Sequence, residues 1–318
     1  MRGLTDIAGI KVGHASDFDG LTGCTVILCE GGAVGGVDIR GSATGTQEMD
    51  VLSPLHTTQR VHAVCLAGGS AFGLEAASGV RRYLEQKGIG VQTRGGRVPL
   101  VPSAILYDLA FGKKGSRPTR EMGLAAAAAA TAEAVVEGNI GAGLGATVGK
   151  LFGMERAMKS GIGSATVNLT GRWAGVTVSA LAAVNAFGDV LDPKTGRILA
   201  GARESAASSQ FSGTAEALLR GDGAPPPLSN TTLVVVATNA RLSKVEATKL
   251  AQLGQHGMVR TISPVHTAYD GDLVIALSLG DRAVDANALG VAAALAVSQA
   301  IERGVRLAKP LGGLPGLG

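Results

Sequence analysis

The chain has 318 residues, of which 46% are hydrophobic and only 17% charged, with 48 glycines and a mean hydropathy of +0.27. Such a chain can bury a sizeable core, and its composition excludes a disordered protein. Lys and Arg number 29 against 25 Asp and Glu, a formal charge of +4 with no basic block, so a nucleic-acid partner is not expected.

Cys24, Cys29 and Cys65 follow no metal-ligand spacing and are expected to be reduced, buried thiols, in keeping with a cytoplasmic location. The N-terminal "MRGLTDIAGIKVGHASD" has no apolar signal core. The alanine run "GLAAAAAATAEAVVEG" is broken by Thr131 and Glu133 before it could span a bilayer, so a soluble protein without a membrane partner is expected.

In chain order, "CTVILCE" (24–30) and "VHAVCLAGG" (61–69) read as buried strands, the second leading into a helix. "PSAILYDLAFG" (102–112) suits either state. "REMGLAAAAAATAEAVVEGN" (120–139) predicts one helix ending near Gly138. Residues 172–193 predict strand, turn at Asn185 to Gly188, and strand. Residues 201–230, with Pro225, Pro226 and Pro227, form the one linker-like segment. Beyond it come a strand (232–238), a helix opened by the capping box Ser243 to Glu246, a strand (273–279) and a helix from about 283 to 303. The part after 230 has too few elements for a confident domain alone and is expected to insert strands into a sheet shared with the first part.

Several familiar motifs fail. "GGSAFG" (68–73) has Phe72 where a nucleophile elbow needs glycine. "GAGLGATVGK" (141–150) lacks the first glycine of a P-loop at Leu144 and the Ser/Thr after Lys150. Its weaker dinucleotide pattern through Gly141, Gly143 and Ala146 follows a helix instead of a strand. His14, His56, His62, His256 and His266 show no H-E-x-x-H and no close pair, and no metal is expected.

What remains is "SNTTLVVVATN". Asn230-Thr231-Thr232 is by itself compatible with a plain strand start. A threonine at a chain end, however, carries its own base as the α-amine, whose ordinary pKa is about 7.7–8.0. Attack of the Thr231 hydroxyl on the Asn230 carbonyl, followed by hydrolysis of the ester, would create that end. "HTAYDGDLVIALSLG" sets Asp270 and Asp272 two apart at a strand entrance, on one face, where they could orient the hydroxyl and hold the ammonium. An ordinary acidic turn is the alternative.

The ordered set "LTDIAGIKVGH", "TGCTVIL", "CLAGGSAFGLEAASGV", "PSAILYD", "GAGLGATVGK", "VNAFGDVLD", "NTTLVVVATN" and "HTAYDGDLVIAL" resembles the autoprocessing DmpA-type peptidase family over nearly the whole chain. That family includes D-aminopeptidases, β-peptidyl aminopeptidases and the nylon-oligomer (6-aminohexanoate-oligomer) endo-hydrolases. The last are most similar in having Thr after Asn and two aspartates flanking a glycine; many aminopeptidase members have Ser where Thr231 and Asp270 stand. The resemblance implies a four-layer α/β/β/α sandwich of DmpA/ornithine acetyltransferase type. It implies a single catalytic domain over 1–318, self-cleaved into fragments 1–230 and 231–318 that share the sheets. It further implies Thr231 as nucleophile, Asp270, Asp272 and Lys150 as its polarising neighbours, Asn185 as oxyanion donor, and Tyr107 shaping the pocket. Phe72 and Phe152 would line the substrate cleft. The implied activity is hydrolysis of oligoamides or short peptides without metal or organic cofactor, in a homo-oligomer, commonly a tetramer. D- or β-amino acid aminopeptidase and acyltransferase activities are the alternatives.

Overall fold

The computed structural model describes residues 2–224 and 230–318; the proline run expected to form an exposed linker lies outside the described residues. The first part of the chain supplies β1 (Lys11–Asp17), β2 (Thr22–Ile39), β3 (Gly45–Gln47), β4 (Arg60–Ala67), α1 (Ala76–Gln86), β5 (Val91–Thr93), β6 (Gly96–Val98), β7 (Ser103–Ile105) and α2 (Arg120–Ala128). The middle supplies β8 (Thr147–Val148), β9 (Met158–Lys159), β10 (Ile162–Asn168), β11 (Thr177–Asn185), β12 (Asp189–Leu191), β13 (Ile198–Ala200) and α3 (Thr214–Arg220). The last part supplies β14 (Thr231–Ala240), α4 (Lys244–Thr261), β15 (Ile262–Ser263), β16 (Leu273–Arg282) and α5 (Ala286–Arg306).

Nine strands form one continuous hydrogen-bonded path in the order β10-β11-β14-β16-β2-β4-β7-β3, with β1 on β2. The path folds into two layers because β2 belongs to both. Its first half pairs with β1 and β4, and its last residues, Val34 to Ile39, pair with β16. Between Leu28 and Ala33 the register shifts, with Gly32 at φ 82°, a bulge that turns the strand from one layer into the other.

Strict alternation then builds three cores. Val234 and Val236 on β14, and Val274 and Ala276 on β16, pack with Leu250, Met258, Val297 and Ile301 of α4 and α5. The intervening Leu233, Val235, Leu273 and Ile275 meet Ile27, Val64 and Leu66 of the other layer. Cys24, Val26 and Cys65 face Val80 and Leu84 of α1 and Ala126 of α2. The result is helix, sheet, sheet, helix, with all three cysteines buried as free thiols. Helix α5 has the length and apolarity of a membrane span, but two-thirds of its most apolar window is buried in this core.

The strands that follow residue 230 are central in the sheet: β14 lies between β11 and β16, and β16 between β14 and β2. The parallel pair β14–β16 is joined through α4, whose predicted capping box forms between Ser243 and Glu246.

Two expectations are corrected. The helix drawn over 120–139 stops at Ala128, because Thr131 exchanges backbone hydrogen bonds with Val12 (2.9 and 3.1 Å) and the chain joins the edge of β1. Tertiary pairing overrides the alanine propensity there. The linker drawn over 201–230 is built structure up to residue 224. The buried Asp189 carboxylate accepts from Ala202 N–H (2.8 Å), Thr214 N–H (2.6 Å) and the Thr214 hydroxyl (2.7 Å), anchoring α3.

Strand β2 and helix α4 approach closely at Gly36, where a Cβ would stand 2.2 Å from Thr248 N. Gly36→Ala is therefore expected to lower the unfolding free energy by about 1–3 kcal/mol, read as a lower urea midpoint with an unchanged slope.

Candidate active site

Two neighbouring strands converge on the start of β14. Antiparallel pairing with β11 sets Asn185 opposite Thr231. On the other side the parallel ladder with β16 continues past its ends into a bridge between Asn230 and Asp270. Asn230, Thr231, Asp270, Asp272, Lys150 and Asn185 are all buried, at 2% exposure or less.

The Asn230–Thr231 peptide is the centre of this arrangement. Its carbonyl oxygen accepts the Gly271 backbone N–H at 2.9 Å, and the Thr231 hydroxyl donates to the same oxygen. The Asn230 side-chain amide reaches the Tyr269 carbonyl at 3.3 Å. The Thr231 hydroxyl and the Asn230 carbonyl are thus adjacent, and a backbone N–H already donates to that carbonyl oxygen. A Cβ on Gly271 would sit 2.7 Å from both Thr231 Oγ1 and the Ala43 carbonyl oxygen, so the glycine between the aspartates is a steric requirement.

The aspartates grip the backbone around the hydroxyl. Asp272 Oδ1 accepts Thr232 N–H at 2.7 Å, while its Oδ2 meets both the backbone N–H and Nδ1 of His266 at 3.1 Å. Asp270 Oδ1 accepts Phe187 N–H at 3.1 Å, and Oδ2 takes the Thr267 hydroxyl at 2.5 Å. Burial, then the neighbouring Asp272 charge, pushes the Asp270 carboxyl up to about 6.

Asn185 is held on every polar atom. Its Oδ1 accepts Lys150 Nζ at 2.7 Å and Thr147 N–H at 3.1 Å, its backbone carbonyl accepts Lys150 Nζ at 3.1 Å, and Nδ2 donates to the Tyr107 carbonyl at 3.0 Å. These bonds fix the amide orientation, with the Nδ2 group keeping a second N–H to offer. Burial pulls the Lys150 ammonium down to about 7, opposed by the charges of Asp270, Asp108 and Asp272. The glycine-rich stretch 141–150, which matched no phosphate loop, thus delivers Thr147 and Lys150 to Asn185.

A cavity of about 220 Å³ opens beside these groups, walled by Tyr107, Phe111, Thr147, Lys150 and Met154 among others. Tyr107 is half-buried there and meets Asn185 through its backbone carbonyl. Neither of the two phenylalanines expected in the cleft is a wall of this cavity. Phe72 is 56% exposed under the Arg117 guanidinium. Phe152 lies beneath Arg156 and packs beside Leu151 and Phe187, outside the walls of this cavity. The apolar wall comes instead from Phe111 and Met154.

Sequence reasoning missed the Gly271 donor and the His266 partner of Asp272. The signal for Gly271 was present in "YDGDL", since a glycine between two functional carboxylates marks close backbone approach. Asn185→Ala removes the Oδ1 acceptor of a buried ammonium. It is expected to cost about 2–3 kcal/mol in urea unfolding.

A profile of peptidase family S58 matches residues 2–317. A protein of Mycobacterium tuberculosis named as an aminopeptidase is 40% identical, over 99% of this chain and 96% of that one. A 6-aminohexanoate-oligomer endohydrolase of Kocuria sp. is 32% identical, over 91% of this chain and 81% of that one. Among solved structures, the L-aminopeptidase D-Ala-esterase/amidase of Ochrobactrum anthropi, described as a variant of the Ntn hydrolase fold, superposes with a TM-score of 0.75 at 19% identity, over 99% of this chain and 88% of that one. A Burkholderia sp. β-aminopeptidase superposes with a TM-score of 0.71 at 22% identity, over 100% of this chain and 91% of that one. The fold is shared with both, and the chain belongs to peptidase family S58, whose chemistry of amide and peptide hydrolysis it carries.

Proposed function

We propose that the protein is an N-terminal-threonine amidohydrolase that activates itself by cutting Asn230–Thr231, within one catalytic domain, and then hydrolyses oligoamides or short peptides. The observation that carries this reading is the Asn230 carbonyl, held by Gly271 N–H with the Thr231 hydroxyl against it. In maturation the Thr231 oxygen attacks that carbonyl carbon and the C–N bond breaks. The nitrogen leaves as an amine carrying the hydroxyl proton, and water cleaves the resulting ester. Turnover repeats the same chemistry on substrate. The freed α-amine takes the hydroxyl proton, and an acyl ester forms on Thr231. The departing amine receives the proton, and water restores the threonine.

Asn185 Nδ2 and Gly271 N–H are the oxyanion donors in this scheme. Lys150, charged, lowers the cost of the developing alkoxide, and Asp270, ionised, balances Lys150 while fixing the 187 backbone. The 40% and 32% relatives, named as an aminopeptidase and a 6-aminohexanoate-oligomer endohydrolase, support short peptides and linear oligoamides as the substrate class. The buried reduced cysteines favour a cytoplasmic setting. Exposed Val245 and Val259 on α4, with Val291 and Leu295 on α5, favour a homo-oligomer, for which we infer the tetramer.

Intact mass of fresh protein is expected to give two fragments, 1–230 and 231–318, with Thr231→Ala remaining whole. A wild-type chain that stays uncut for days removes the proposed base and sinks the reading. Asn185→Ala is expected to lower kcat by about 10²–10³-fold. The kcat/KM profile from pH 4 to 10 is expected to be bell-shaped. Activity rises as Asp270 ionises through about 6 and as the freed α-amine, with an ordinary pKa of about 7.7–8.0, becomes neutral, and it falls as Lys150, pulled down to about 7 by burial, loses its proton.

A further inference from the structure

Lys159 has no part in the chemistry above, yet it is 0% exposed. It stands directly opposite Thr147 in the β8–β9 pair. Its Nζ donates to the carbonyls of Ser160 at 2.5 Å, Ala146 at 2.6 Å and Gly143 at 3.2 Å. An ammonium has three protons to place, and a buried one is retained only where they are placed well. Two of these three acceptors belong to the glycine-rich turn whose next residues, Thr147 and Lys150, hold Asn185.

The surroundings of Lys159 are equally specific. Asp108, whose carboxylate accepts from Thr22 (2.7 Å) and Gly69 N–H (2.6 Å), lies against the same turn, where a Cβ on Gly145 would come 2.6 Å from Oδ2. The Phe111 ring, a wall of the cavity, is 5.7 Å from Nζ. The Lys159 backbone N–H donates to Pro315 O at 2.8 Å. Lys150 is the second cation facing this region, with Asp270 and Asp272 beyond it.

We propose that Lys159 is a positioning residue for amide hydrolysis: its ammonium gathers the carbonyls of the 143–146 turn and sets the height at which Thr147 and Lys150 grip the Asn185 amide. This rests on the N-terminal-threonine reading. The carbonyls define where the turn lies, and the charge adds a second effect. Two cations share one buried wall, so the Lys159 charge opposes the Lys150 charge.

The test uses full-length wild type, Lys159→Met and Lys159→Arg, each checked for cleavage by intact mass and for folding by thermal unfolding. Linear 6-aminohexanoate trimer and leucine p-nitroanilide serve as probes. Methionine keeps the length of the stem without donors or charge. It is expected to lower kcat tenfold or more with KM within about twofold, and to move the alkaline limb of the pH profile upward, because Lys150 no longer meets a like charge. Arginine keeps the charge, but its planar fork cannot converge on the same three carbonyls. It is expected to lower kcat while leaving that limb in place.

A methionine variant whose pH profile superimposes on wild type, with activity lost only in proportion to unfolded protein, overturns the proposal. So does an arginine variant with wild-type kcat and KM, which decides the matter if the methionine variant does not fold. Failure of the underlying reading looks different: an uncut wild-type chain, or hydrolysis by Thr231→Ala.

Discussion

The hydrogen bond from Gly271 N–H to the Asn230 carbonyl is the interaction on which the site turns. It extends the parallel ladder of β14 and β16 beyond the last regular pair, and so ties one peptide unit to the centre of the sheet. Everything nearby serves its placement. Asp272 takes the next N–H along the strand, Asp270 ties the same loop to residue 187, and Gly271 leaves no atom between itself and the Thr231 hydroxyl. Because β14 has a strand on each side, this peptide unit cannot slide without breaking register in two ladders at once.

Around that peptide the protein tolerates a costly set of buried charges. Lys150, Lys159, Asp108, Asp270 and Asp272 are all withdrawn from water. Such groups rarely add stability relative to apolar side chains of the same volume, and their retention fits a chemical purpose better than a structural one. Burial raises the Asp270 carboxyl to about 6 and lowers the ammoniums of Lys150 and Lys159 to about 7. Satisfaction by backbone groups, more than ion pairing, holds them: Lys159 meets three carbonyls, and each aspartate of the pair accepts at least one backbone N–H.

What could be read from the sequence followed from chemistry carried by side chains in fixed local order. Thr231 after Asn230, two aspartates across a glycine, and Asn185 at a strand end are all local patterns, and the structure brings them together. The apolar runs in "TLVVVATN" and "LVIALSLG" likewise predicted two strands, which the fold then places at the centre of the sheet. Less legible was whatever depended on backbone groups or on distant pairing. Gly271 acts through its N–H, which no residue letter displays. The alanine run ends where it does because of Val12, more than a hundred residues earlier in the chain. The apolar wall was sought at Phe72 and Phe152 because aromatics near motifs attract attention. Phe111 and Met154 lie outside the motifs and reach the cavity only through the fold.

The interior position of β14 also bears on how long the molecule lasts. A cut before Thr231 would leave two chains interleaved strand by strand, with the shorter one supplying the middle of the sheet and both helices of one outer layer. The folded particle would be no easier to pull apart than before, since every ladder bond of β14 survives. Once unfolded, however, the two pieces would have to meet by diffusion, and the peptide bond that first let them find each other would be gone. The working lifetime of such a protein is governed by how slowly it opens, with no return by the route that made it.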